Sequence, residues 1–161
     1  MKLDSPNLSA GSGADSQRSF PETCLFCRII LGKAEAYRVF EDSVCLAFLD
    51  HRPLFPGHSL LLPKQHYETL ADLPGNLLGP LFSGAQLLSR AMELGLEAEG
   101  SFVAINNRVS QSVPHLHIHI VPRRRKDGLK GFFWPRQAYK DREERLHVQQ
   151  AIQAAVARLR A

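Results

Sequence analysis

No apolar run in this chain approaches the roughly 18 residues that a membrane-spanning helix needs, and the N-terminus carries no apolar stretch of the kind that opens a secretory signal. A cytoplasmic location without a membrane span is therefore expected. Cysteine is scarce. Three residues, an odd number, cannot build a disulfide framework, which again points to a reducing compartment. Basic residues are sparse at the N-terminus, and Asp4 and Asp15 interrupt it, so the pattern of a mitochondrial transit peptide is missing. Internal repeats are absent. The length of 161 residues holds one domain with a real core and is short for two.

What is present is unevenly distributed. The net charge is only +4, yet residues 123–142 contain eight Lys and Arg against two Asp. A basic cluster of this kind suits a phosphate-bearing ligand or, equally, a solvated loop. Residues 1–20 are rich in Ser, Gly, Asp and Asn without periodicity and read as a disordered tail. Strands are expected at 37–41 and 44–50, forming a hairpin, and at 58–63 and 101–106. Between Thr69 and Gly95 apolar residues recur at helical spacing, with Pro80 predicting a kink or a break into two helices. A last helix is expected from Asp141 to Ala161. Phe132, Phe133 and Trp134 form an aromatic cluster suited to burial in the monomer or at a dimer interface.

Chemistry concentrates at His115-Leu116-His117-Ile118-His119. In a strand, alternate side chains share a face, so the three imidazoles project one way while Leu116, Ile118 and Ile120 enter a core. One row of imidazoles supplies a nucleophile, proton carriers and metal ligands. Cys24 and Cys27 form a CxxC, which as a metal site needs two further ligands elsewhere. Cys45, inside an apolar run, reads as a buried small hydrophobe.

Four segments together carry a family resemblance: CLFCRII at 24–30, FLDHRPLFPGHSLLLPKQH at 48–66, Asn107 with Ser110 and Gln111, and HLHIHIVPR at 115–123. In these the chain resembles the histidine triad (HIT) superfamily of nucleotide-binding proteins. The resemblance implies an α+β fold: a five-stranded antiparallel sheet with one long helix and a short N-terminal helix. It implies a domain over 21–125, pairing into a homodimer, and leaves 126–161 as a basic, aromatic extension whose C-terminal helix packs on the domain or on a dimer partner.

The resemblance further implies that His117 attacks the α-phosphorus of a nucleotide, forming a nucleotidyl-histidine that water cleaves. The other nitrogen of His117 must then be held by an acceptor such as a backbone carbonyl. His119 would stabilise charge on the phosphate. Ser112 and Gln111 would meet the phosphates or the leaving group. Asn106 or Asn107 would line the phosphate site, with Arg108 as an added contact. Phe26, Ile29 and Phe48 would enclose the base, and Asp50 would accept from the ribose hydroxyls. Cys24, Cys27, His66 and His115 would make a closed structural zinc site. His119, which the transferase branch replaces by glutamine, argues for hydrolysis. Val121-Pro122-Arg123 after the triad favours a dinucleoside polyphosphate, such as diadenosine polyphosphate, as substrate over a nucleoside phosphoramidate. A non-catalytic nucleotide-binding protein is the alternative of another class, against which the intact triad speaks. Arg123–Lys126 with Phe132, Phe133 and Trp134 could contact nucleic acid, but no RNA-binding signature accompanies them.

Overall fold

The computed structural model describes residues 20–129 and 138–160. The 1–20 tail and the cluster at Phe132–Trp134 therefore fall almost wholly outside the described residues. The chain divides into two compact units, one ending at Asp127 and the other starting at Gly128.

The first unit contains α1 (Leu25–Ile30), β1 (Arg38–Glu41), β2 (Cys45–Leu49), β3 (Ser59–Pro63), a single 3₁₀ turn at Leu70–Asp72, α2 (Gly75–Leu96), β4 (Gly100–Ile105) and β5 (Ile118–Arg123). The five strands form one sheet in the order β1-β2-β3-β5-β4, with every neighbouring pair antiparallel. The β1–β2 hairpin turns where expected. Asp42 Oδ1 accepts from the Val44 and Cys45 amides at 2.7 and 2.6 Å, a side-chain substitute for a backbone turn.

The central strands are apolar on both faces because both are covered. Cys45, Ala47, Leu61, Leu116, Ile118 and Ile120 pack towards Leu81, Ala85, Leu88 and Met92 of α2. Leu46, Phe48, Leu60 and Leu62 pack towards Cys24, Phe26, Cys27 and Ile29 around α1. The expected strict alternation through the triad holds, although the regular strand starts only at Ile118.

Pro80 neither breaks nor divides the helix: α2 is continuous over 22 residues with Pro80 in its second turn. The ring removes only the bond to the Asn76 carbonyl. That carbonyl belongs to an exposed turn, where it is open to solvent and the lost donor costs least, while Leu81, Ala85, Leu88 and Met92 anchor the rest. The helix ends near the expected position, with Gly95 inside its last turn and Glu97 in the left-handed conformation (φ 54°) as its C-cap.

In the second unit α3 spans Arg142–Arg160. Asp141 Oδ1 caps it by accepting from the Glu144 amide at 2.7 Å.

Candidate functional site

The three triad histidines sit on the α1 face of the sheet and divide into two environments. His115 is fully buried. Its Nε2–H donates to the Pro63 carbonyl at 2.9 Å, so Nδ1 holds a lone pair. That lone pair points at the Sγ atoms of Cys24 and Cys27, each 3.6 Å away, and His66 Nδ1 lies 3.4 Å from Cys27 Sγ. One donor atom from each of the four residues falls within 4.8 Å of the others. Two thiols and two imidazoles in this arrangement match a tetrahedral Cys2His2 donor set with no position left for substrate. Burial, and then the adjacent Cys24, push the Cys27 thiol up to about 12. Burial drives the Cys45 thiol to about 11 as well, and its complete burial matches a core role.

His117 and His119 face a cleft of 960 Å³. The Nδ1–H of His117 donates to the His115 carbonyl at 2.7 Å, which leaves Nε2 unprotonated. This is the backbone-carbonyl arrangement expected from the sequence. Burial holds His117 below its ordinary pKa, opposed by that hydrogen bond and by the Asp50 charge. Phe26 stands edge-on to the His117 ring with centroids 5.2 Å apart.

A fourth histidine, to which the sequence reading gives no role, completes the row. The Leu54 amide donates to His58 Nδ1 at 3.2 Å, so the His58 proton resides on Nε2, 3.0 Å from His119 Nδ1. His119 in turn carries its proton on Nε2. Burial first, then the neighbouring His117 and His58, lower the His119 pKa to about 4. His58 is almost fully buried, and Asp50 Oδ2 lies 3.6 Å from its Nδ1. Asp50, His58 and His119 also satisfy the spacing of a cation site, but the hydrogen bonds occupy both His58 nitrogens and make the cluster a relay. Sequence parity contains the signal: His58 shares a sheet face with Leu60, and Leu60 pairs with His119. Gly57 makes the turn into His58 possible, since its φ is +99° and a Cβ there would collide with Leu96.

Phe26, Ile29, Phe48, Asp50, Ser112, His117 and His119 all line the cleft. The first three also belong to the core cluster under α1, so they serve packing and cleft together. Asn106, Asn107, Arg108 and Gln111 stand outside the lining. Asn107 Oδ1 accepts from the Leu70 amide at 2.8 Å, and Gln111 Nε2 donates to the Glu68 carbonyl at 2.7 Å. Gln111 Oε1 also accepts from the Arg108 amide at 2.7 Å. These bonds pin the loop before the triad and set Ser112 against the cleft.

The start of the basic run, Arg123 to Arg125, points elsewhere. Arg123 is six residues beyond His117, roughly 20 Å of extended chain. Its guanidinium pairs with Asp127, Arg124 donates to the Leu96 carbonyl, and Arg125 pairs with Glu99. Among the described residues no Lys or Arg lines the cleft.

The HIT domain model matches residues 32–126, more than half of the chain. This chain belongs to the HIT family. It is 35% identical over 128 residues to an adenylylsulfatase of Arabidopsis thaliana, covering 78% of this chain and 65% of that protein. It is 33% identical over 138 residues to adenosine 5′-monophosphoramidase of Saccharomyces cerevisiae, covering 82% and 85%. Among solved structures, a HIT family member from Bacillus subtilis superposes with a TM-score of 0.74 at 35% identity, covering 83% of this chain and 96% of that one. A zinc-bound histidine triad protein from Mycobacterium smegmatis gives 0.63 at 37% identity, covering 85% and 97%. The HIT fold read from the sequence, five antiparallel strands with a long helix, is thus the fold of the chain. At the coarse level its relatives include named hydrolases of nucleotide compounds. Among the described residues no helix is long and apolar enough to cross a membrane.

Proposed function

We propose that this HIT protein hydrolyses a nucleotide at its α-phosphate through a nucleotidyl-histidine on His117. One observation carries the reading. The His115 carbonyl holds the Nδ1–H of His117, and the free Nε2 lone pair faces the same cleft as Phe26, Phe48 and Asp50. Phe26, Ile29 and Phe48 take the base, and the Asp50 carboxylate accepts from the ribose hydroxyls. The α-phosphorus then lies at Nε2. The N–P bond forms as the bond to the leaving group breaks, and the leaving atom takes the Ser112 hydroxyl proton as solvent, to which Ser112 is exposed, returns one to the hydroxyl oxygen. His119, protonated on Nε2 by the relay from His58, donates to a phosphate oxygen as charge develops. Water attacks the phosphorus in the second half, the N–P bond breaks, and nucleoside monophosphate leaves with the imidazole restored.

The leaving group divides the two substrate readings. The Val-Pro-Arg tail after the triad favoured a dinucleoside polyphosphate. Among the described residues the cleft is lined by imidazoles and aromatics and by no Lys or Arg. That favours the second reading, a nucleoside phosphoramidate, which has no further phosphates to neutralise. Two named relatives, an adenylylsulfatase and a monophosphoramidase, support a single-phosphate substrate.

Cys24, Cys27, His66 and His115 would hold zinc as a structural ion, which ties α1 to the triad. The zinc-bound relative supports this reading. β4 is an edge strand of the sheet and is the candidate surface for pairing two copies, checked by sedimentation equilibrium. The activity test is a panel of adenosine phosphoramidates, adenylyl sulfate and dinucleoside polyphosphates compared by kcat/KM. His117→Asn should abolish turnover of every one while nucleotide binding survives. Turnover retained in that variant would remove His117 from the role.

A further inference from the structure

A second concavity of 360 Å³ adjoins the cleft. The two share Leu25, Ser112 and Val113, and the smaller one is completed by Thr23, Glu68 and Pro114 and bordered by Cys24 and His66 of the Cys2His2 cluster. Its position follows from the loop. The Gln111 amide donates to the Glu68 carbonyl, and Gln111 directly precedes Ser112. Glu68 and Ser112 are therefore held on facing segments of one pocket. The two concavities differ in character. The larger is lined by the aromatics and the imidazoles, whereas the smaller carries one carboxylate and, among the described residues, no Lys or Arg. The Glu68 carboxylate makes no hydrogen bond or ion pair among the described residues.

We infer that the smaller pocket receives the leaving group and that Glu68 selects its charge, favouring an amine that carries a second positive charge over one that carries a carboxylate. This rests on the hydrolase reading, in which the base and ribose fill the larger cleft. Ser112, which meets the leaving group in that reading, lines both concavities, so the Glu68 pocket is the adjoining space for the rest of the substrate. An anion there meets the Glu68 carboxylate with no Lys or Arg beside it among the described residues, and a zinc ion held by two thiolates and two imidazoles would add no net charge to offset it; an ammonium finds an acceptor. Because Glu68 is exposed, screening by water limits the effect to a few-fold.

The test uses two adenosine 5′-phosphoramidates that differ only at the far end of the leaving amine, 1,4-diaminobutane against 4-aminobutanoate. In the native protein the diamine compound should have a kcat/KM about fivefold higher, the upper range for an exposed charge pair. Glu68→Gln should bring the ratio near one, Glu68→Lys should invert it, and higher salt should flatten all of them. The ratio within each protein cancels any general loss transmitted through His66. Non-hydrolysable adenosine 5′-carbamates with the same two tails, titrated by calorimetry, separate the two claims. A carbamate preference that inverts in Glu68→Lys supports the assignment even if neither phosphoramidate is cleaved, in which case the hydrolase reading alone falls. Cleavage and binding ratios that are the same in the native protein and Glu68→Lys overturn the role of Glu68 and leave the hydrolase reading intact.

Discussion

His58 donates from Nε2 to Nδ1 of His119 across 3.0 Å. The Leu54 amide occupies the other His58 nitrogen, so the direction of this bond is fixed by the backbone. Two residues that are 61 positions apart in the chain thereby set a tautomer: His119 must present an N–H, and not a lone pair, to the cleft. His117 is set the opposite way by the His115 carbonyl. Two imidazoles two residues apart thus become an electrophilic donor and a nucleophile.

Removing the relay donor tests that division. His58→Ala leaves His119 free to place its proton on either nitrogen. The expected outcome is a fall in kcat of roughly 10- to 100-fold, with KM changed far less. Steady-state kinetics measures it, and an unchanged kcat would mean that His119 needs no help in choosing its tautomer.

Acid should weaken the fold through the same residue. His119 has an ordinary value of 6.5 and a folded value of about 4, so below pH 6.5 the unfolded chain binds the proton more readily. Stability from this group is fully present above 6.5 and is lost as pH falls towards 4. Urea melts at pH 7.5, 6 and 5 should give falling midpoints. In His119→Asn the decline over this window should be shallower; an identical slope would contradict the burial of a neutral His119.

Zinc analysis addresses Cys24, Cys27, His66 and His115. One equivalent per chain is expected in the native protein and far less in Cys24→Ser, with the melting temperature lowered by roughly 10 °C. A metal-free native protein with the same melting temperature as Cys24→Ser would show the cluster to be four inert side chains.

The basic run makes the converse prediction. Arg123 stands roughly 20 Å of strand from His117 and is paired with Asp127. Arg125→Ala, chosen because its side chain is 90% exposed, should leave kcat/KM within about twofold of the native value. A tenfold loss would place Arg125 near substrate after all.

Much of this site was legible before the fold. Parity along 115–120 put the imidazoles on one face and the aliphatics on the other, and both faces were found as expected. The family motifs joined Phe26, Phe48, Asp50 and Ser112 to the triad. Three things lay beyond sequence. Pro80 reads as a kink or a break because its local cost is visible in sequence, whereas the tertiary packing of Leu81 and Leu88 that keeps the helix continuous is not. Asn107 and Gln111 read as lining the phosphate site, and only the position of residues 68–70 reveals that their side-chain amides also tie down the loop. The basic run reads equally as a phosphate contact or as a solvated loop, and only the fold shows that its first members, Arg123 and Arg125, are carried along a strand into ion pairs with Asp127 and Glu99.

The central claim is tested most directly by intact-mass analysis of protein quenched during a single turnover of an adenosine phosphoramidate. An acid-labile adduct of one adenylyl group, mapped to His117 and absent in His117→Asn, is the predicted result. Turnover at the native rate with no adduct on any histidine, or an adduct mapped to His119, would contradict it.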